Sequence, residues 1–153
     1  MLNRLQDVFA SLSRHDVRYV VIGGIAVVLH GVPRATFDLD ILIEATPANA
    51  ANLLRALTDA GLGTATLTTP EEVLANEITV FKDRVRIDVL TSTPGLSFTD
   101  AWSHHDEMDY RGQPFHVVSK ADLISAKRAA GRPVDLDDVR LLLAGSEDPP
   151  RST

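Results

Sequence analysis

The sequence contains no cysteine, which excludes a disulfide scaffold and a thiolate zinc site and favours a reducing, cytoplasmic setting. It also lacks a long apolar run. The longest, VVIGGIAVVLHGV, is interrupted by two glycines and a histidine and is too short to cross a membrane. Asp7 falls in the first turns of the N-terminal stretch MLNRLQDVF, so no signal peptide is expected there.

Basic residues are in the minority, with 15 Lys and Arg against 21 Asp and Glu, and the formal net charge is −6. Binding to nucleic-acid phosphates needs clustered Lys and Arg, so the net charge argues against a footprint over the whole surface and leaves a local basic patch open. The 153 residues suffice for one domain with a hydrophobic core. We expect a single domain over residues 1–145, followed by a disordered tail over residues 146–153.

Apolar spacing predicts helices alternating with strands, with one hairpin, and therefore an α/β fold with a small mixed sheet flanked by helices. Thr46 with Pro47, and Ser119 with Asp122, mark the beginnings of two helices. Residues 62–76 are ambiguous: TATLTT is typical of an edge strand and PEEVLAN of a helical turn. The expected strands are VRYVVIG, FDLDILI, EITVF, RVRIDVL and FHVV, and the expected helices span about residues 3–14, 25–30, 46–61, 98–102, 120–131 and 135–145.

Two carboxylates share one face of an expected strand in the stretch TFDLDILIE, because Asp38 and Asp40 are two residues apart. Unpaired carboxylates on a buried face cost desolvation energy and repel each other. Taken alone, this pattern is equally typical of a solvated edge strand. The opposite face should lie in the core and consists of Phe37, Leu39, Ile41 and Ile43.

A third carboxylate follows on a later strand, RVRIDVL, where Asp88 lies on the polar face with Arg84 and Arg86. If the two strands are neighbours, Asp38, Asp40 and Asp88 converge, and each raises the pKa of the others. Divalent cations relieve that repulsion, and oxygen ligands suit Mg²⁺ or Mn²⁺. Two such ions about 3.5–4 Å apart can activate a nucleophile and stabilise a leaving oxygen.

A glycine pair, Gly23-Gly24, follows the first strand and precedes a short helix. Glycines at such a point let the backbone approach a ligand closely, although a tight turn without a ligand is the commoner case. The stretch has neither the G-x-G-x-x-G pattern of a dinucleotide site nor the Gly-Lys-Ser/Thr of a Walker loop.

Gly23-Gly24, then thirteen residues, then Asp38-Leu39-Asp40 and a later Asp88 together resemble the nucleotidyltransferase superfamily related to DNA polymerase beta. The spelling GGIAVVLHGVPRATFDLDILIE is similar to that of small bacterial members. These are minimal nucleotidyltransferases, antibiotic-modifying adenylyltransferases and abortive-infection type toxins of toxin–antitoxin systems. The C-terminal stretch LISAKRAAGRPVDLDDVRLL resembles the segment that often closes the domain in the last of these groups. The resemblance covers about residues 17–143.

The resemblance implies a metal-dependent transfer of a nucleoside monophosphate from a nucleoside triphosphate, ATP included, to an acceptor. Asp38, Asp40 and Asp88 would hold two Mg²⁺ or Mn²⁺ ions, and Asp88 would also take the proton from the attacking hydroxyl. Gly23 and Gly24 would lie against the triphosphate. The acceptor stays open among RNA or tRNA, protein and small molecule, and an antitoxin or toxin partner is a further implication.

Several basic residues are candidates for phosphate contacts. Lys127 could reach the triphosphate, or it could lie on a solvated helix face with Arg128; Arg34 could meet a phosphate from its loop, or be an ordinary surface residue. With Lys120 and Arg132 they form a basic side that could face RNA or only the triphosphate.

Two acids near the C-terminus have a structural interpretation. Asp135 and Asp138 are expected to be helix-cap residues, with Arg132 pairing to one of them.

Two other functions compete with nucleotidyl transfer. One is a non-catalytic interaction module of the same fold, favoured by the short chain, in which no separate acceptor-binding domain is visible. The other is a phosphohydrolase of the haloacid dehalogenase type, which also has an Asp-x-Asp after a strand. In that family a Thr and a Gly follow, whereas Ile41-Leu42-Ile43 follow here.

Overall fold

The computed structural model describes residues 2–36 and 38–146, and in this part of the chain a six-stranded mixed sheet forms the centre of the protein. The sheet order is β3-β4-β2-β1-β6-β5. The pairs β1–β6 and β2–β4 are parallel, and the other neighbours are antiparallel. The predicted α/β class is confirmed. The strands are β1 Tyr19–Ile22, β2 Leu39–Ile43, β3 Ile78–Lys82, β4 Arg86–Leu90, β5 Asp106–Tyr110 and β6 Gln113–Val117.

Helices pack around this sheet, and their ends carry the predicted signals. The Thr46 hydroxyl accepts the backbone N–H of Asn49, and the Ser119 hydroxyl accepts that of Asp122, so both predicted N-caps are confirmed. Among the described residues, no helix combines the length and the apolarity needed to cross a membrane. The helices are α1 Gln6–Arg14, α2 Gly23–Leu29, α3 Pro47–Asp59, α4 Pro70–Ala75, α5 Phe98–His104, α6 Lys120–Ala130 and α7 Pro133–Ser146, with 3-10 turns at Leu2–Arg4 and Gly63–Leu67.

The core follows the alternation seen in the sequence. One face of β2 is fully buried at Leu39, Ile41 and Ile43, and β4 buries Ile87 and Val89 in the same way. The polar positions between them remain partly accessible on the other face. Phe37, predicted for the core, lies outside the described residues, as does the predicted tail from residue 147 onward. α7 extends through Ser146, one residue into that predicted tail.

The expectation of an edge strand at TATLTT is wrong, because these residues belong to the 3-10 turn Gly63–Leu67. The Thr66 hydroxyl donates to the Gly63 carbonyl at 2.7 Å, and such local bonds favour a turn over a strand. The edge of the sheet beside β4 is taken by β3, which forms the predicted hairpin.

Strand β5 was not predicted, and it forms the other edge of the sheet. Its sequence DEMDY is acidic, as exposed edge strands often are, and has little β propensity. It forms because Arg111 and Gly112, both with positive φ, close a two-residue hairpin onto β6.

Three predicted helix starts are displaced. α7 begins at Pro133 rather than Asp135, since proline is favoured at the first helical position. α2 begins at Gly23 rather than Ile25, and a 3-10 turn precedes α1, so residues 3–14 are not one helix.

Candidate active site

Strand register brings the predicted carboxylates together. β2 lies parallel to β4 with Asp40 opposite Asp88, and antiparallel to β1 with Asp40 opposite Ile22. Asp38 lies one residue before β2. The predicted adjacency of the two acidic strands is therefore confirmed.

Burial raises the pKa of Asp40 to about 7, and Asp88, which is close enough to share a hydrogen bond, adds to the rise. Burial contributes most to this rise, followed by the charge of Asp88, the hydrogen bond with Asp88 and the charge of Asp38, while Lys127 opposes it. Near neutral pH, Asp40 in the metal-free protein is therefore protonated for part of the time.

Arg86 lies between two of the carboxylates. Its Nε is 3.0 Å from Asp88 Oδ1 and 3.8 Å from Asp38 Oδ2, and its Nη2 is 3.4 Å from Asp88 Oδ2. These contacts raise the pKa of Arg86, the hydrogen bond to Asp88 being the largest cause. A single guanidinium thus compensates part of the charge of three acids.

The two glycines are required by close packing. Gly23 has φ +71°, and a Cβ placed on it would overlap the Asp40 carboxylate, with Asp40 Cγ only 3.0 Å away. A Cβ on Gly24 would lie 2.8 Å from Thr36 Oγ1 and 3.8 Å from Arg34 Nη2. The backbone that follows β1 is therefore in direct contact with the acidic strand, and the predicted triphosphate contact of the glycines stays a prediction.

A buried ion-pair network lies beside the carboxylates and joins α6 to α7. Lys127 Nζ is 3.3 Å from Asp135 Oδ1 and 3.1 Å from Asp138 Oδ2, and the lysine side chain is only 12% exposed. Arg34 Nη1 lies 2.6–2.7 Å from both oxygens of Asp138. The alternative in which Lys127 shares a solvated face with Arg128 is therefore wrong. Arg34 does lie at the surface, as one alternative expected, and its guanidinium is paired with Asp138.

Asp135 also fixes the beginning of α7. Its carboxylate accepts the backbone N–H of Arg132 at 3.2 Å and the Arg132 Nε at 2.6 Å. These bonds lower the pKa of Asp135, with Arg132 the largest cause; burial works against it and Lys127 supports it. The predicted capping role of Asp135 and its pairing with Arg132 are confirmed. The predicted capping role of Asp138 is wrong, because this residue lies inside α7 and its carboxylate pairs with Arg34 and Lys127.

A cleft of about 250 Å³ lies between the sheet face and α6. Asp40, Asp88, Gly23 and Lys127 all line it, so four of the predicted site residues meet in one cavity. Its remaining lining mixes the polar residues Thr93, Arg132 and Asp135 with apolar side chains such as Ile78, Leu90 and Leu123.

The other predicted site residues lie around this cleft rather than in its lining. Asp38 lies on the far side of Arg86 and lines a different cavity. Gly24 and Arg34 are neighbours of each other, and Asp138 links Arg34 to Lys127, which lines the cleft. A cavity of about 420 Å³ at the opposite end of β1, beside Tyr19 and Trp102, is larger but lies away from the three carboxylates.

The donor set fits a hard divalent cation, although the side chains are not arranged around one. Within the described ranges, no group of three His, Cys, Asp or Glu side chains has the arrangement that holds a metal ion. Arg86 lies between Asp38 and Asp88 and forms ion pairs with both. The pair Asp40–Asp88 nevertheless offers oxygen ligands only, and a bound cation would relieve the repulsion that raises the pKa of Asp40.

Sequence reasoning missed two features of the site. The bridging role of Arg86 had a signal, since Arg86 and Asp88 are two residues apart on one strand face. The anchoring of Arg34 by Asp138 had none, because the two residues are 104 positions apart.

The fold resembles that of a protein whose crystal structure has been solved. A crystal structure of a candidate nucleotidyltransferase from Thermotoga maritima aligns with a TM-score of 0.60 over 94% of this chain and 92% of that chain. Only 17% of the aligned residues are identical, so this likeness establishes the fold and nothing more. A comparison with curated proteins finds no match.

A protein-family model matches residues 2–143, a span that includes the three carboxylates, the glycine pair and the ion-pair network. The chain therefore belongs to the family described as nucleotidyltransferase of unknown function (DUF6036).

Proposed function

We propose that this protein is a metal-dependent nucleotidyltransferase that moves a nucleoside monophosphate from a nucleoside triphosphate to a hydroxyl-bearing acceptor. The observation that carries the proposal is the register of β2 and β4. It sets Asp40 against Asp88 in a cleft that also contains Lys127. Membership of a nucleotidyltransferase family supports the same reaction class.

Each residue has a role that its surroundings support. Asp38, Asp40 and Asp88 would hold two Mg²⁺ or Mn²⁺ ions, which when bound would polarise the phosphoryl group and lower the pKa of the attacking hydroxyl. Asp88 would accept the hydroxyl proton. Lys127 would contact the triphosphate, since it faces the cleft from a fixed position on α6.

The bond changes follow from these roles. The acceptor oxygen would form a bond to the α-phosphorus, the bond from that phosphorus to the bridging oxygen would break, and diphosphate would leave. Arg34 and Lys127 would stabilise the charge on the phosphates, because Asp138 holds both cations in place at the edge of the cleft. Gly23 and Gly24 would let the backbone approach the donor.

Three finer assignments belong to the same proposal. ATP is among the donors, the protein is cytoplasmic, and it acts in a toxin–antitoxin system. The acceptor in that proposal is RNA or tRNA, a protein or a small molecule. They are supported by the sequence resemblance. Growth arrest on expression of the wild-type chain, absent for an inactive variant, would support the toxin role; equal growth of both would oppose it.

The test is incubation of the protein with each of the four α-labelled nucleoside triphosphates, Mg²⁺ and total cellular RNA and protein, followed by separation of the labelled products. We expect label transfer for the wild type and none for Asp38→Asn or Asp88→Asn. Asp106→Asn on the exposed strand β5 is the matched control, because it makes the same chemical change at the opposite edge of the sheet. Unchanged transfer in the Asp38 and Asp88 variants would refute the proposal.

A non-catalytic interaction module is the second candidate, favoured by the position of Arg86 between Asp38 and Asp88. Titration calorimetry with Mg²⁺ and each triphosphate separates the two functions, since a module would bind none of them. The phosphohydrolase alternative is set aside, because the chain belongs to a nucleotidyltransferase family.

A further inference from the structure

A second cavity, of about 500 Å³, adjoins the carboxylates on the side away from Lys127. We call it the basic groove and define it by its charged lining residues. Asp38 and Arg86 line this groove, and Arg86 also contacts Asp88, which lines the cleft, so the two cavities adjoin at this ion pair. The charged residues of the groove are Arg4, Asp38, Lys82, Asp83, Arg84 and Arg86.

The groove is positively charged in an acidic protein. Four cations and two carboxylates line it, a formal balance of 4 − 2 = +2, whereas the whole chain carries −6. A local surplus of this kind concentrates anionic ligands and disfavours cationic ones. The charge therefore selects the chemistry of whatever binds beside Asp38.

Two of these cations are not neutralised. Lys82 is exposed, and its ammonium has no hydrogen-bond or ion-pair partner among residues 2–36 and 38–146. Arg4 donates to the Arg84 carbonyl at 2.6 Å and has no carboxylate partner within the described part of the chain. Both side chains can therefore accept an anion without first breaking an ion pair.

The remaining groups of the groove are committed elsewhere. Arg84 is fixed by Asp7 and by the Ala60 carbonyl, to which its Nη2 donates at 2.7 Å. The Asp83 carboxylate accepts its bonds from the backbone N–H groups of Arg84 at 2.8 Å and Thr64 at 3.3 Å, and these bonds lower its pKa. Asp83 thus turns to the backbone instead of cancelling the charge of Lys82.

Nucleotidyl transfer needs two substrates on opposite sides of the reacting phosphorus. In the proposed reaction the cleft with Lys127 takes the donor triphosphate, which leaves the basic groove, on the Asp38 side, for the acceptor. Guanidinium and ammonium groups recognise phosphate through charge-assisted hydrogen bonds. We infer that the basic groove binds the acceptor, and that this acceptor carries a phosphate ester close to its reacting hydroxyl.

This inference rests on the proposed transfer reaction for its role, but the binding event can be tested without it. The same inference disfavours polycationic acceptors such as aminoglycosides, which the surplus charge of the groove would repel. Binding is therefore measured in EDTA without any triphosphate, so a failed transfer assay and a failed binding assay are separate results.

The experiment measures the fluorescence anisotropy of a labelled RNA pentanucleotide with a free 3′-hydroxyl, titrated with wild-type protein and with the double variant Arg4→Gln/Lys82→Gln. The matched control is Arg14→Gln/Arg111→Gln, which removes two exposed charges away from the groove. We expect the groove variant to bind roughly tenfold more weakly and the control to bind less than about twofold more weakly. The slope of log affinity against log salt should fall by about 1.4 for the two lost phosphate contacts.

Competition distinguishes the source of the phosphate. A nucleoside monophosphate that displaces the probe as well as an unlabelled pentanucleotide does would indicate a small phosphorylated acceptor. Displacement by the pentanucleotide alone would indicate a nucleic-acid end. The uncharged nucleoside should not displace the labelled pentanucleotide. The inference is overturned if wild-type protein does not bind the probe, if the uncharged nucleoside competes equally, or if the groove and control variants bind alike.

A single substitution controls for loss of binding through misfolding. Lys82→Gln alone removes no hydrogen bond or ion pair of the ammonium to the described residues, so its thermal unfolding should match that of the wild type. Its affinity for the pentanucleotide should still fall by roughly threefold. Wild-type affinity in this variant would remove Lys82 from the proposed site.

Discussion

Replacing Asp40 by asparagine should stabilise the metal-free protein at neutral and alkaline pH. The asparagine amide keeps the shape of the side chain and can still donate a hydrogen bond to Asp88, but it removes the charge that burial and Asp88 oppose. The folded protein raises the pKa of Asp40 from 3.8 to about 7, so the folded state holds a proton that the unfolded chain has lost. Above neutral pH, ionised Asp40 therefore weakens the fold.

The size of the effect follows from that difference. From 3.8 to about 7, at 1.36 kcal/mol per pH unit, the penalty approaches about 4 kcal/mol. Because the cleft is open to solvent, screening reduces it, and we expect about 2–3 kcal/mol. Since the folded pKa is the higher one, the penalty is absent below about pH 3.8, grows as pH rises toward about 7 and is constant above it.

The assay is urea unfolding in EDTA between about pH 5 and about pH 8.5 for wild type, Asp40→Asn and Asp106→Asn. The stability of the wild type relative to Asp40→Asn should decline up to about pH 7 and then remain level, while Asp106→Asn should follow the wild type. Adding Mg²⁺ at alkaline pH should stabilise the wild type and leave Asp40→Asn unchanged. Parallel pH profiles for wild type and Asp40→Asn would refute the reasoning.

Two further substitutions test the surroundings of Asp40. Gly23→Ala should lower the free energy of unfolding by about 2–4 kcal/mol, because its Cβ would overlap the Asp40 carboxylate at a left-handed φ. The control Gly61→Ala has φ +88° and open space around it, so it should cost only about 1–2 kcal/mol in the same urea assay. Equal losses in the two variants would argue against the overlap. Asp138→Asn should cost about 2–4 kcal/mol and weaken triphosphate binding in calorimetry, because it releases Arg34 and Lys127 from a buried carboxylate. The neighbouring Asp137→Asn removes only an exposed contact to Arg140 and should change stability by less than about 0.5 kcal/mol, so equal effects of the two would contradict the network's role.

Much of the fold was accessible from local sequence signals. The alternation of Leu39 and Ile41 with Asp38 and Asp40 fixed which side of β2 is buried, and the hydroxyl of Ser119 marked the beginning of α6. These signals depend on residues one to four positions apart, which is the range over which strand pleating and helix capping act. Strand β5 escaped prediction because its formation depends on pairing with β6 and on the turn geometry, rather than on its own composition.

In the candidate site, too, some features follow from local sequence and others from tertiary contacts. The sequence by itself determined that Asp38, Asp40 and Asp88 lie on polar strand faces, because side-chain alternation is a local property of the backbone. Only the tertiary structure decided that Asp40 faces Asp88 and that Arg86 bridges Asp88 and Asp38. Strand register and burial depend on groups far apart in the chain, and it is the burial of Asp40 against Asp88 that raises its pKa to about 7.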